Sequence, residues 1–200
     1  MMKRGTLAGF FALICSLMIL SGCLGRSPTP SLYTLEAMPA APTAKKELGA
    51  SLSLGIRQLT LPAIIQRPQI VLVEEERVVA LELHRWSAPL ETTMTLVLSE
   101  DLQGLLKTSS VLGYPWPTVF KPDYSLSISV SRFDGLPGGE VVLSGIYFLE
   151  GSDAAKNLLT DRFHIVEKVN GSDYAALVRG HSAALSRLAQ QIAELVALNI

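Results

Sequence analysis

Three histidines, His84, His164 and His181, and one carboxylate run, Glu74-Glu75-Glu76, are the groups through which this chain could do acid–base or metal chemistry. No spacing pairs the histidines, and there is no His-Glu-x-x-His helix to place two imidazoles one turn apart on zinc. The Gly-x-Ser-x-Gly nucleophile turn is missing, as is a glycine-rich phosphate loop followed by lysine. His181 falls in an apolar stripe, with Leu177 and Leu185 one helical turn away on either side. A ligand role is open there, but the pattern favours a core histidine with one satisfied hydrogen bond. "EEER" (74–77) sits between two short apolar runs. It reads as a divalent-cation site or a solvated turn, and adjacent carboxylates in a turn favour the second. "YPWP" (114–117) holds an aromatic between two prolines, either a rigid recognition loop or a plug over a sheet edge. The expectation is a protein with no catalytic residues, no metal and no cofactor.

Chemistry is expected at Cys23 instead. Lys3 and Arg4 precede an uncharged run from Leu7 to Leu20, which ends in Leu20-Ser21-Gly22-Cys23. A charged start, a short apolar core and small residues at the cut are the layout of a secretory signal. A permanent span needs about 20 apolar residues, more than this run supplies. The last four residues resemble the bacterial lipobox, whose cysteine sulfur takes a diacylglycerol; the amine freed by cleavage is then acylated, commonly with palmitate. Residues 1–22 are therefore expected to be a cleaved lipoprotein signal peptide, residues 23–50 a lipidated tether with a first short strand, and residues 51–200 the folded domain. Each buried CH₂ contributes about 0.8 kcal/mol, so two or three chains on Cys23 anchor the protein permanently. No aspartate follows the cysteine, only Leu24 and Gly25, which favours the periplasmic face of the outer membrane over inner-membrane retention. The other cysteine, Cys15, lies in the segment removed, which excludes an internal disulfide and a cysteine-built metal site. The signal takes two of the 17 basic residues and none of the 18 acidic ones, leaving 15 against 18, about −3 in charge. Such a mildly acidic body does not point to nucleic acid.

The elements that must carry these groups alternate between two periods. "GRSPTPS" (25–31) and "AMPAAPTAKKELGA" (37–50) read as irregular connections on either side of "LYTLE" (32–36), a short strand. In "YSLSISVSRF" (124–133), Leu126, Ile128 and Val130 face one way and Ser125, Ser127, Ser129 and Ser131 the other. "EVVLSGIYFLE" (140–150) is apolar on both faces and suits a sheet interior; "DGLPGGE" (134–140) between them predicts a hairpin. "SLSLGI" (51–56), "QIVLV" (69–73), "VVALEL" (78–83) and "DRFHIVEKV" (161–169) complete the strands. Leu90, Met94, Leu98, Leu102 and Leu105 or Leu106 recur at helical spacing, with Ser87 placed to cap the helix and Pro89 in its first turn. A longer stripe runs from Tyr174 through Leu177, Val178, His181, Leu185, Leu188 and Ile192 to Leu195, with Arg179, Ser182, Ser186, Arg187, Gln190 and Glu194 expected away from it. The predicted class is α+β: a mixed, largely antiparallel sheet with two helices packed on one face.

The ordered set "LTLPAIIQRPQIVL" (59–72), "HRWSAPLETTMTLVLSEDLQGLL" (84–106), "SISVSRFDG" (127–135), "VVLSGIYFL" (141–149) and "DYAALVRGHSAALSRLAQQIAEL" (173–195) resembles the ABC-type transport auxiliary lipoproteins of the PqiC/YmbA group. The resemblance runs over nearly the whole mature chain and carries over no catalytic residue. It implies an outer-membrane subunit that partners with an MCE-domain protein and an integral inner-membrane transport subunit, moving lipid and maintaining envelope integrity. In some relatives that system includes an ABC ATPase and permease; the Pqi type has a different membrane subunit. A homo-oligomer fits the same picture. Arg67, Pro68, Gln69, Arg85, Trp86 and Pro89 match the family's signature. Their residue types argue for structure: the prolines restrict the chain where strand and helix begin, and Trp86 buries a large ring. The competing readings are a stand-alone lipoprotein binding a small ligand or another envelope-assembly partner, and a lipid-anchored hydrolase, against which the missing motifs argue.

Overall fold

The computed structural model describes residues 28–37, 52–153 and 159–199. The signal peptide and Cys23 lie outside the described residues, as does nearly all of the 37–50 connection. The order is β1 (Ser31–Tyr33), β2 (Leu54–Thr60), β3 (Gln69–Glu74), β4 (Arg77–Trp86), α1 (Leu90–Leu106), β5 (Val111–Gly113), β6 (Tyr124–Gly135), β7 (Glu140–Gly151), β8 (Leu159–Lys168) and α2 (Tyr174–Asn199). The class is α+β, as the sequence periods require.

The strands divide into two sheets, one of five in the order β5-β2-β6-β7-β8 and one of three in the order β1-β4-β3. The long pairs β6–β7, β7–β8 and β3–β4 are antiparallel; β2 joins β5 and β6 in parallel, and β1 joins β4 in parallel. A parallel pair needs a crossover, and α1 lies between β2 and β5 in the chain. The alternation in β6 holds in its middle: Leu126, Ile128 and Val130 are buried while Ser129 and Ser131 are exposed and Ser127 is half-buried. Ser125, expected on the polar face, is buried, its hydroxyl accepting from Arg57 Nη2 at 3.2 Å. A register shift between Val130 and Arg132 then bends the strand, so that Phe133 returns to the core.

Both helices pack on the apolar side of the five-stranded sheet, α1 over β2 and β5 and α2 over β6, β7 and β8, and they pack on each other. This double burden overturns one expectation. Ser182 and Ser186 were expected away from the stripe and are buried, at 5 % exposure each, because α2 is covered from two directions. Small side chains admit that second contact: Ala184, Ala189 and Ala193 are buried alongside them, and the Glu36 N–H donates to Ser182 Oγ at 3.2 Å. The cap expected from Ser87 is also absent. Pro89 is the capping residue of α1, with φ −52° and ψ 126° and no side-chain hydrogen bond. Its fixed φ starts the helix without a side-chain acceptor.

Candidate functional site

Residues 67–69 and 85–89 come together where the small sheet meets α1. Gln69 pairs with Arg85 across β3–β4, and Tyr33 with Trp86 across β1–β4. The Trp86 N–H donates to Pro68 O and the Ser87 N–H to Tyr33 O, each at 2.7 Å. These bonds fix the end of β4 between its two neighbours. Between the 61–68 loop and the β4–α1 junction lies a cleft of about 420 Å³, walled by Leu61, Pro68, Trp86, Pro89 and Leu90 with Arg67 at its rim. Four of the six signature positions (Arg67, Pro68, Trp86 and Pro89) therefore line one cleft. Gln69 and Arg85 lie beside it on the sheet, Arg85 bonded to the Glu82 carboxylate at 3.2 Å. Sequence spacing could not reveal the cleft, because it depends on a contact between Pro68 and Trp86 that only the β3–β4 register creates.

Trp86 turns its ring inward, edge-on to His181 at 5.7 Å; Phe133 meets the same imidazole edge-on at 4.7 Å. His181 is 1 % exposed, and its Nδ1–H donates to Leu177 O at 2.9 Å. Burial pushes its pKa down to about 4; the Leu177 carbonyl and the charge of Asp134 oppose that shift without cancelling it. The neutral imidazole is thus a core wedge with one satisfied bond.

A test follows from the sign of that shift. The folded-state value lies below the roughly 6.5 of an unfolded histidine, so the unfolded chain binds the proton more readily. The contribution of neutral His181 is complete above about pH 6.5 and is lost as pH falls towards 4, on the order of 3 kcal/mol in all. Urea unfolding at pH 7 and pH 4.5 should show wild type losing about 2 kcal/mol more than His181→Gln over that interval. Equal losses in the two proteins would remove His181 as the cause.

The other candidates are separate. His84 lies half-buried between Tyr33, whose hydroxyl is 2.9 Å from Nδ1, and the Tyr174 ring at 3.9 Å. His164 is exposed on β8 and bonded to Ser144 Oγ at 2.8 Å. Glu75 and Glu76 form the exposed two-residue turn between β3 and β4, with Glu75 at φ 55°. Among the described residues no three of His, Cys, Asp and Glu gather as a metal site would require. In "YPWP", Trp116 plugs the sheet: its ring lies over Gly55 of β2, where a Cβ would come within 2.8 Å of it. Tyr114 and Phe120 meet that ring edge-on at 5.5 and 5.8 Å. The serine face of β6 continues across β7 and β8 as Val142, Ser144, Ile146 and Phe148, half-buried, and Arg162, His164 and Val166, exposed. Among the described residues no helix covers it, and none is long and apolar enough to cross a membrane.

The geometry therefore offers a cleft and an open sheet face, with no reactive constellation among the described residues. Comparison with known proteins supplies the missing context: residues 33–193 match the sequence profile of the ABC-type transport auxiliary lipoprotein component. The chain belongs to that family. Among solved structures, an uncharacterised protein aligns with TM-score 0.67 at 20 % identity, over 84 % of this chain and 99 % of its own. A Xanthomonas campestris protein of family DUF330 aligns with TM-score 0.67 at 16 % identity, over 84 % and 95 %. At such identities these two establish the fold alone. No curated protein matches by sequence. As an ABC-type transport auxiliary lipoprotein, the chain is a transporter accessory with an envelope location. Its signature cluster is the junction that holds β1, β3, β4 and α1 in register.

Proposed function

We propose that this protein is a non-enzymatic, outer-membrane lipoprotein, anchored through Cys23, that serves an MCE-type, Pqi-like lipid-transport assembly and supports envelope integrity. Family membership over residues 33–193 is the observation that carries the reading. Chain length supports the anchoring geometry. Seven residues separate Cys23 from Ser31, the first residue of β1, and the eight Cα steps between them hold the domain within about 29 Å of its lipid at full extension. A domain held so short cannot cross the periplasm. Its inner-membrane partners must come to it, which an MCE-domain protein joined to an integral transport subunit would do.

Affinity isolation of the full-length lipoprotein from gently solubilised envelopes tests this assignment. An MCE-domain protein and a membrane subunit should co-purify at near-stoichiometric amounts. Their absence from an isolate in which the lipoprotein retains its acyl chains would overturn it in favour of a stand-alone ligand-binding lipoprotein.

The open face of β6–β8 is the surface we assign to contact with a second copy or with the MCE protein. It mixes hydroxyls with Ile146 and Phe148, and hydroxyls that find partners are inexpensive to desolvate. Ser127→Glu with Ser129→Glu should leave the fold intact, lower the particle mass by light scattering and weaken partner capture at least tenfold. Unchanged mass and capture would move the contact elsewhere.

A further inference from the structure

The edge of the five-stranded sheet opposite β8 is β5, only three residues long. The Leu54 N–H donates to Ser110 O at 2.8 Å and the Tyr114 N–H to Ile56 O at 2.9 Å, which places the intervening Leu112 amide and carbonyl towards β2. Alternation along the strand turns the backbone groups of Val111 and Gly113 outward, away from β2. The Val111 carbonyl is already used, accepting from Gln103 Nε2 at 2.9 Å. The Gly113 amide and carbonyl face the open edge. Unpaired groups on a sheet edge are a template for another strand.

That edge opens onto a groove of about 710 Å³ whose opposite wall is the outward stripe of α1, from Thr92 through Leu96 to Gln103. Eleven helical steps span about 16 Å, enough for about five residues of extended chain. Leu96 and Tyr114 flank the groove at 64 % and 65 % exposure, large apolar side chains left in water. Glu91 and Glu100 stand exposed on the α1 wall, neither ion-paired with another described residue, and among the described residues no lysine or arginine lines the groove. The surface thus combines a strand edge that no described strand pairs with, two apolar contacts and negative charge.

We propose that this groove docks an extended, basic segment of a partner protein, which adds to β5 as a further strand. Main-chain pairing with Gly113 supplies the geometry, Leu96 and Tyr114 cover the apolar side chains of the incoming strand, and Glu91 and Glu100 select lysine or arginine. Strand addition to an edge flanked by a helix needs no sequence beyond that alternation. The negative wall argues against nucleic acid or an anionic lipid headgroup as occupant. The proposal does not rest on the transport reading, because it is tested on the purified protein alone.

The probe is a fluorescein-labelled ten-residue peptide alternating threonine and lysine, titrated by anisotropy into the purified full-length lipoprotein. Saturable binding is expected, weakened at least tenfold by Glu91→Lys with Glu100→Lys. Methylating alternate peptide amides should weaken it at least as much, and that control leaves the protein untouched. Equal binding of the methylated peptide would show mere charge adhesion and overturn strand addition. Equal binding of a threonine–glutamate peptide, or none at all, would overturn it too. Release of monomers by the peptide, seen as a fall in light-scattering mass, would make a second copy the occupant and overturn the assignment to a separate partner.

Discussion

Replacing Cys23 with serine should abolish acyl labelling completely, leave the precursor uncleaved at Gly22–Cys23 and release no mature lipoprotein to the outer membrane. The expectation rests on chemistry particular to one atom. On the proposed reading the Cys23 sulfur is the nucleophile that accepts the diacylglycerol, and a serine hydroxyl at that position would be far less reactive. The energetic consequence is equally sharp. Each buried CH₂ contributes about 0.8 kcal/mol, so losing two or three chains removes far more than any surface contact of the domain supplies. A variant starting near residue 27 should by contrast be soluble without detergent, since it lacks both the apolar run Leu7–Leu20 and the proposed acyl site. Metabolic labelling with palmitate and flotation of envelopes measure both outcomes. Processing and flotation at wild-type levels in the Cys23→Ser protein would refute the anchor. A detergent requirement in the shortened protein would reveal a second membrane contact.

The fold was legible where one face of an element decides its burial. In β6 the serines and aliphatics alternate, and in α2 the stripe from Leu177 to Ile192 repeats, so each could be oriented without a partner. Legibility failed where two partners compete for one element. Ser182 and Ser186 are polar, yet α2 buries them because α1 and the segment after β1 cover its flank. Strand β5 left no trace either: three residues are too few to establish a period, and its place depends on pairing with Leu54–Ile56 far upstream. The signature cluster shows the same division. Pro68, Trp86 and Pro89 announce their own local restraint, but the cleft they share arises only when β3 and β4 pair. The α1–β5 groove was invisible for the reason β5 was.

Gly145→Ala should destabilise the domain by about 3 kcal/mol, a large change for one methyl group. Gly145 lies in the middle of β7, opposite Val130 on one side and Phe163 on the other. A Cβ there would overlap the Ser129 carbonyl oxygen and come within 2.5 Å of Phe163 Cζ. The ring cannot swing away freely, because it is 3 % exposed and stacked on Tyr147 with centroids 6.2 Å apart and planes 15° from parallel. The carbonyl belongs to the backbone of a central strand and can move only by disturbing the β6–β7 ladder. Glycine in a strand interior ordinarily weakens it, so its presence marks a close approach of neighbours. A loss near 3 kcal/mol would lower the melting temperature by about 6–12 °C in a domain of this size. Combining Gly145→Ala with Phe163→Leu separates the two obstructions. The smaller side chain should recover part of the loss if the ring dominates, and none if the Ser129 carbonyl does. A Gly145→Ala protein that melts within a degree of wild type would show that β7 accepts a side chain here, and that the sheet is less tightly closed over Phe163 than its burial indicates.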